Sequence, residues 1–320
     1  MTAPATNTVS LAGFSDQLAQ AVESAARSIV AVHARERLAS TGVHWRDGLI
    51  VTTAATVRRE QGIEVTTSEG ARVHATLVGR DIASDLALLR IESATVVPGA
   101  TRAEPGRLRP GNLVMAVARL DGSGPRVSFG AVSRVGGAWR TWKGGEYGAL
   151  IQSGFPLHPG FGGSPLVDVE GHVHGINSGG LSQELTTTIP NETVERVLAH
   201  LLATGSVPRG WLGAALQPVR FSEGQAGTAA NRESGLLIVG LAEGGPAATS
   251  GLLVGDIVLS VDGSDMHEPH DVLDALERKT PGTVVSFDLL RGGARVIVPV
   301  TIGARPQEKE GRRRRSWSGR

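Results

Sequence analysis

The chain lacks several features that would assign it to a class at once. None of its 320 residues is cysteine, which excludes disulfides, thiolate metal sites and a cysteine nucleophile. No apolar run approaches the roughly 18 residues that a membrane helix needs, so we expect no membrane span. Residues 1–14 lack the basic and apolar stretches of a signal peptide. We therefore expect a cytoplasmic location, with export as the alternative if translation starts further upstream.

Aromatic residues are also scarce, at 4%, whereas glycine is abundant, with 43 residues. This balance favours a turn-rich, mainly β chain of two or three domains. Short β-branched or alternating segments predict strands at residues 49–57, 63–80, 85–90, 113–117, 126–135, 149–152, 166–169 and 172–176. The segment 63–80 has the pattern of a β-hairpin. Strands this short and this numerous indicate paired barrels or a sandwich.

Two helices and a linker set the expected domain order. Residues 15–29 carry apolar side chains at helical spacing, and Ser15 can cap their start. Residues 191–203 repeat that spacing, with Asn191 as the expected cap. The expected organisation is a flexible N-terminus (1–14), a first domain (15–204), a linker (205–210), a second domain (211–302) and a tail (303–320).

The second domain has the pattern of a compact α+β unit. It combines five predicted strands with a helical turn at 244–252 and a longer helix at 269–278, the strands being residues 212–218, 236–241, 257–261, 284–291 and 294–301.

The tail is the one strongly basic stretch. From residue 305 it holds seven basic and two acidic residues, although the whole chain carries a net charge of only +1. A like-charge run without apolar periodicity is typical of a solvated, disordered segment. The alternative is binding to nucleic acid or an anionic surface through Arg312, Arg313, Arg314 and Arg315.

One glycine-rich segment carries a resemblance to a known family. Residues 158–167 read H-P-G-F-G-G-S-P-L-V. They resemble the nucleophile loop of trypsin-like serine proteases of the HtrA/DegP type, roughly N-P-G-N-S-G-G-A-L-V. The ungapped match puts Gly162 at the place of the serine. The family's oxyanion loop then corresponds to Gly160, Gly162 and Gly163, and its fold implies a trypsin-like double β-barrel.

The other two triad positions can be matched in the same way. Residues 45–56 resemble the family's W-R-x-G-L-V-V-T-A-A-H-V segment and put Ala55 at the histidine; a shift by one residue puts Thr56 there. Residues 81–89 resemble D-x-x-x-D-L-A-L-L, so Asp85 matches the catalytic aspartate. A trypsin-like site needs all three groups as a unit, and neither alanine nor threonine is a general base. The resemblance therefore implies a pseudoprotease in which Asp85 is structural.

Two alternatives to a lost site exist. Ser164 could replace the nucleophile with His158 as its base, if the fold brought both to hydrogen-bond distance. His172 and His174 share one face of a predicted strand and could form a metal pair. The sequence shows no third histidine or carboxylate beside that pair, so we predict neither a metal nor a cofactor.

The second domain resembles a PDZ domain. The match rests on G-P-A-A at 245–248, on G-L-L-V-G-D-I-V-L at 251–259 and on V-D-G at 261–263. It implies binding of peptides or protein C-termini by strand addition. Residues 209–216 resemble the HtrA form of the carboxylate-binding loop. The contact residues expected from this loop and from the following helix are Trp211, Leu212, Gly213, Ala214, His270, Val272, Leu273 and Leu276, with core packing as the alternative for Val272, Leu273 and Leu276.

The function expected from these resemblances is peptide binding without cleavage, in a scaffold, regulatory or quality-control role. The enzyme alternative is a serine endopeptidase with a non-standard nucleophile such as Ser164. The family resemblance also implies assembly into homotrimers, or into mixed oligomers with active relatives.

Overall fold

The computed structural model describes residues 10–91, 98–141, 144–182, 184–207, 210–221, 233–277 and 279–304. Its contacts divide the chain between residues 207 and 208 into two units. The tail predicted at 303–320 lies outside the described residues from 305 onward. Its first two residues belong to the fold, because the short strand Gly303–Ala304 pairs with Gly210–Trp211.

Six antiparallel strands close into a first barrel, in the order β1-β2-β3-β6-β5-β4. The strands are β1 (Ile29–His33), β2 (Ser40–Arg46), β3 (Leu49–Thr52), β4 (Ile63–Thr66), β5 (Arg72–Asp81) and β6 (Leu86–Ile91). Aliphatic side chains fill the interior, and Val30, Ile50 and Leu89 are fully buried there. The predicted hairpin corresponds to β4 and β5.

A second six-stranded barrel closes in the order β11-β14-β13-β12-β7-β8, and a two-stranded ribbon stands beside it. The strands are β7 (Leu113–Ala118), β8 (Arg126–Gly136), β9 (Trp139–Arg140) and β10 (Glu146–Tyr147) of the ribbon, β11 (Leu150–Ser153), β12 (Pro165–Asp168), β13 (Val173–Ser178) and β14 (Thr186–Pro190). Sequence reasoning missed β14 because its consecutive threonines are polar and do not give the apolar pattern of a buried strand. They are buried with their hydroxyls bonded: Thr186 donates to the Phe155 carbonyl and Thr188 to Asn177 Oδ1, both at 2.7 Å.

Two helices pack with both barrels around one shared core. Helix α1 (Leu11–Ala26) begins before Ser15, because the Ser10 hydroxyl accepts the Gly13 N–H at 3.0 Å and caps it. The prediction that residues 11–14 belong to a flexible N-terminus is therefore wrong. The shared core includes Trp45 and Met115 from the two barrels.

Helix α2 (Asn191–Thr204) closes the first unit. The prediction that Asn191 caps it is wrong, since Pro190 holds that position. The Asn191 amide is instead buried and donates to the carbonyls of Ala103, at 3.2 Å, and Val173, at 2.7 Å. Gly205 ends the helix in the left-handed conformation, with φ 73°.

The second unit is a small sheet with two helices. Its main sheet has the order β16-β17-β18-β20-β21, with β19 beside β18, and β15 pairs with β22. The elements are β15 (Gly210–Trp211), β16 (Ala214–Arg220), β17 (Ser234–Leu241), α3 (Pro246–Thr249), β18 (Ile257–Val261), β19 (Ser264–Asp265), α4 (Pro269–Glu277), β20 (Val284–Arg291), β21 (Ala294–Thr301) and β22 (Gly303–Ala304). The predicted fold class, a mainly β double barrel followed by an α+β unit, is confirmed. Among the described helices, none combines the length and apolarity that crossing a bilayer requires.

An ion pair between the buried Asp256 and the partly exposed Arg291 in the second unit leads to a pH prediction. The Asp256 carboxylate accepts two hydrogen bonds from the Arg291 guanidinium, each at 2.7 Å, and one from the Leu253 N–H at 2.8 Å. Burial raises the pKa of the Asp256 carboxyl, but these bonds lower the pKa by more, so it ends below its ordinary value. Because the folded pKa is the lower one, the charge stabilises the unit above an unfolded pKa of about 3.9. That stabilisation is lost as the pH falls through the folded pKa.

We expect Asp256→Asn to melt at a lower temperature than the wild type at neutral pH. We expect the difference to narrow as the pH falls below about 4 and through the folded pKa, where the wild-type carboxylate loses its charge. Thermal unfolding followed by circular dichroism between neutral and acidic pH measures this. A difference that stays constant over that range would contradict the assignment.

Candidate functional site

A 3₁₀ turn, Ala54–Thr56, follows β3 and presents Ala55 at the surface of a cleft. Ala55 is exposed, whereas the Thr56 side chain points inward and its hydroxyl donates to the Thr53 carbonyl at 2.8 Å. The sequence allows two residues at the histidine position, Ala55 without a gap and Thr56 after a shift of one residue. Of these, only Ala55 faces the cleft.

Asp85 is buried between the two barrels. Its carboxylate accepts the Ala55 N–H at 2.8 Å through Oδ1 and the Ser178 hydroxyl at 2.6 Å through Oδ2. Its backbone has φ 55°, a left-handed value that non-glycine residues adopt mostly at constrained sites. The carboxylate therefore connects the turn of the first barrel to β13 of the second. Sequence reasoning missed Ser178, although its position at the end of β13, directly before Gly179 and Gly180, was a signal.

A cavity of about 300 Å³ opens beside this carboxylate. Ala55 and Asp85 form one side of it, and Trp139, Thr141 and Leu181 contribute to the rest. A methyl group thus stands at the position where the resemblance requires an imidazole ring, with space in front of it.

The glycine-rich loop lies against the same turn. A Cβ atom built on Gly162 would lie 3.2 Å from the Thr56 methyl and 3.3 Å from Thr53 Oγ1, both side-chain atoms. Gly163 differs, because it has φ 88° and a Cβ there would collide with the Thr41 carbonyl oxygen. Gly160 is restricted in the same way, with φ 91° and Leu120 in the way. Of the three loop glycines, only Gly162 can therefore accept a side chain.

The loop's backbone orientation is fixed by neighbouring groups. The Thr41 hydroxyl donates to the Gly160 carbonyl at 3.0 Å, and the Gly163 N–H donates to the Asn177 carbonyl at 3.0 Å. Within the described part of the chain, the N–H groups of Gly160 and Gly162 donate to no protein acceptor. These two donors are the ones that the resemblance would assign to an oxyanion hole.

The structure does not form the Ser164–His158 pair. Ser164 is completely buried, and its Oγ accepts a hydrogen bond from the Asn177 amide at 3.2 Å. His158 is exposed and packs edge-on against the Phe161 ring, with 5.5 Å between the ring centres. Opening this pair to substrate would require the loop to rearrange.

A carboxylate does lie beside His172 and His174, so the prediction that none is nearby is wrong. The turn between β12 and β13 brings the Asp168 carboxylate to 2.8 Å from His174 Nε2 and 3.6 Å from His172 Nδ1. Spacing along one strand face does not indicate Asp168, because the carboxylate comes from the neighbouring strand of the hairpin.

The predicted peptide contacts on the second unit divide into two sets. Leu212, Val272 and Leu276 are buried in the hydrophobic core, which agrees with the core-packing alternative for Val272 and Leu276. That these three side chains contact peptide stays a prediction. Leu273 is 46% exposed, and the His270 side chain is 71% exposed. Both therefore present their side chains outside the core, on α4.

The carboxylate loop and the strand after it form the other side of the expected groove. Gly213 has φ 74°, and a Cβ there would press on the Trp211 ring at 3.1 Å, so glycine is required. Ala214, which follows it at the start of β16, is half-buried. In the sheet order of the described residues β16 is an edge strand, bonded to β17 on one side. Such an edge can accept a peptide as an additional strand.

Comparison with known families agrees with this division. The model of the trypsin-like peptidase domain matches residues 40–176, and that of the PDZ domain matches residues 212–302. A probable periplasmic serine endoprotease DegP-like of Halomonas elongata is 34% identical over 286 residues, which is 87% of this chain and 59% of that protein. The protein of the same description from Pseudomonas fulva is 32% identical over 82% of this chain and 55% of its own length. The chain thus spans less than two thirds of the curated relatives it matches.

Solved structures give the same result. The HtrA-type protease AlgW with a decapeptide superposes with a TM-score of 0.70 and 26% identity, over 91% of this chain and 99% of that one. The serine endoprotease from Yersinia pestis superposes with a TM-score of 0.70 and 26% identity, over 90% and 98%.

The comparisons also correct the predicted location. The matched relatives from Halomonas elongata, Pseudomonas fulva and Ectopseudomonas mendocina are named periplasmic, which contradicts the cytoplasmic prediction. In its two domains, in their order and in its sequence, the chain is similar to HtrA/DegP-type proteins, with a trypsin-like peptidase domain followed by a PDZ domain.

Proposed function

We propose that this chain is an HtrA-like protein that binds peptides without cleaving them. The observation that carries the proposal is the arrangement around Asp85. Its Oδ1 accepts a backbone N–H of Ala55, whose methyl group occupies the position of a general base. Gly162 occupies the position of the nucleophile, next to the same turn.

The chemical consequence follows from how a triad works. The base removes the proton from the nucleophile, and the aspartate stabilises the charged base. The aspartate alone therefore does not support cleavage when the base and the nucleophile are missing. Removal of a whole triad costs on the order of 10⁶ in kcat in the subtilisin example. The two loop N–H groups could still bind an extended chain, but they supply no nucleophile.

Peptide binding is proposed for the second unit. Its support is the edge strand β16, the glycine-dependent turn at Gly213 and the exposed side chains of His270 and Leu273 on α4. The similar AlgW structure is described as containing a decapeptide. Pro218 lacks an N–H, so we expect an added strand to pair with residues 214–217 and to end there.

We expect fluorescent peptides with a free, apolar C-terminus to bind the full chain, and amidation of that C-terminus to weaken binding at least about tenfold, because the charge-assisted hydrogen bonds of the carboxylate are lost. Leu273→Glu should weaken binding as well. Leu253→Glu is the matched control, since Leu253 is a comparably exposed leucine on the loop before β18, at 52%. Fluorescence anisotropy measures all four cases, and equal affinity for the free and amidated peptides would contradict this mode of binding.

The second candidate function is an active serine endopeptidase. Its support is the description of the relatives from Halomonas elongata and Pseudomonas fulva as serine endoproteases. In this chain Ser164 would be the nucleophile, which requires the buried hydroxyl to become exposed. Labelling by a fluorophosphonate probe that Ser164→Ala abolishes would favour this candidate over the first.

The cellular role proposed with peptide binding is scaffolding, regulation or quality control among exported proteins. Assembly into homotrimers or into mixed oligomers with active relatives is part of the same proposal. Light scattering on the purified chain, alone and mixed with an active relative, distinguishes the two kinds of assembly.

A further inference from the structure

The turn between β12 and β13 gathers three metal-ligand side chains on one side. Asp168, Glu170 and His172 alternate along the sequence, and one ligand atom of each lies within 4.8 Å of the others. The cluster belongs to neither the cleft at Asp85 nor the groove of the second unit.

Backbone hydrogen bonds hold this turn in place. Asp168 Oδ1 accepts the N–H of Glu170 at 3.0 Å and the N–H of His172 at 2.9 Å. The Asp168 N–H donates to the His172 carbonyl at 3.1 Å, which closes the hairpin. One carboxylate oxygen is therefore used by the turn, and the other, Oδ2, faces the two histidines.

His172 supplies an independent indication of a ligand. Its Nδ1 is buried and makes no hydrogen bond within the described residues. It lies 3.6 Å from Asp168 Oδ2 and 3.7 Å from Glu170 Oε2, distances too long for a hydrogen bond. Two ligands of one tetrahedral zinc ion, each about 2.1 Å from it, are about 3.4 Å apart. Shifts of a few tenths of an ångström would bring His172 Nδ1 and either carboxylate oxygen to the separation of two ligands of one ion, and all three ligand atoms lie within 4.8 Å of one another.

His174 stands behind the carboxylate. It is buried, and its Nε2 lies 2.8 Å from Asp168 Oδ2. Hydrogen bonds of this kind orient metal-binding carboxylates and tune their affinity. His174 is therefore a positioning residue and His172 the ligand.

We propose that Asp168, Glu170 and His172 bind a divalent transition-metal ion of the zinc class, with His174 orienting Asp168. One imidazole nitrogen and two carboxylate oxygens suit zinc or manganese, and water completes the coordination. Arg107 competes for this site, since its Nη2 lies 3.6 Å from Glu170 Oε2. Both side chains are about half exposed, so the guanidinium can turn into solvent when an ion binds.

A bound ion would join the two strands that follow the glycine-rich loop. β12 begins at Pro165, directly after Ser164, and β13 carries Ser178, the partner of Asp85. The ion would thus stiffen the hairpin that connects these two parts of the cleft.

The test is a titration of the metal-free 320-residue chain with zinc by calorimetry, and with cobalt by visible absorption. We expect one equivalent of zinc to bind and a tetrahedral cobalt spectrum to appear. His172→Ala should abolish stoichiometric binding, and His174→Gln should weaken it about 10- to 100-fold. Arg107→Gln should tighten it.

His158→Ala is the control for adventitious binding to an exposed histidine, and it should leave the titration unchanged. The proposal fails if the wild type binds no zinc at millimolar concentration, or if His172→Ala and the wild type bind with equal stoichiometry and affinity. Neither outcome depends on peptide binding or on peptidase activity, so the proposed function is tested separately.

Discussion

The double substitution Ala55→His with Gly162→Ser is expected to turn this chain into an active endopeptidase. On the proposed alignment Asp85 is the third member of the triad, and its carboxylate lies 2.8 Å from the backbone nitrogen of residue 55 and accepts a hydrogen bond from Ser178. A histidine at position 55 would extend into the cavity of about 300 Å³ beside that carboxylate. The Asp85 carboxylate could then fix its tautomer and stabilise its charged form.

The loop can supply the nucleophile at position 162 without rebuilding. A Cβ on Gly162 meets only the side chains of Thr53 and Thr56, which can shift by a few tenths of an ångström. The N–H groups of Gly160 and Gly162 make no protein hydrogen bond within the described residues and are available to an oxyanion.

Casein digestion measures the gain. We expect the double variant to cleave at least about 10³-fold faster than either single variant, because members of a triad act as a unit and one alone restores little. A double variant that keeps the wild-type circular dichroism spectrum and still fails to cleave casein would contradict the alignment of the site.

Gly163→Ala is expected to destabilise the first unit by about 2–5 kcal/mol, which combines the cost of overpacking with that of a left-handed alanine. Gly163 has φ 88°, and a methyl group there would collide with the Thr41 carbonyl, which is backbone and cannot turn away. Chemical denaturation followed by tryptophan fluorescence measures the change.

Gly162→Ala is the matched control one residue earlier. It has an ordinary backbone conformation and only side chains around it, so we expect a change of no more than about 1 kcal/mol. Equal destabilisation by the two alanines would mean that the loop has a different backbone conformation. It would also contradict the claim that position 162 can hold a serine side chain.

Much of the fold could be predicted because strands and glycine turns leave a local signal. The hairpin at β4 and β5 follows from alternating apolar and polar residues, and the strands β18, β20 and β21 follow from short segments rich in apolar and β-branched residues. β14 could not be predicted, since its threonines become buried only when Phe155 and Asn177 accept their hydroxyls. Such bonds join residues far apart in the sequence, and no local pattern indicates them.

The site shows the same limit. Asp85 could be matched to a motif. Its partner Ser178 lies 93 positions away in the sequence and comes within hydrogen-bond distance only when the two barrels have folded. On α4, helical spacing does not tell the core residues Val272 and Leu276 from the exposed Leu273, because apolar side chains serve both purposes. Which side of the helix faces the sheet is set by tertiary packing.

The central claim is that the wild-type chain binds peptides and does not hydrolyse them. Incubation of purified wild type with casein, beside the Ser164→Ala variant and the double variant, tests it most directly. We predict cleavage by the double variant alone. Cleavage by the wild type that disappears in Ser164→Ala would contradict the claim and establish the chain as a protease with a displaced nucleophile.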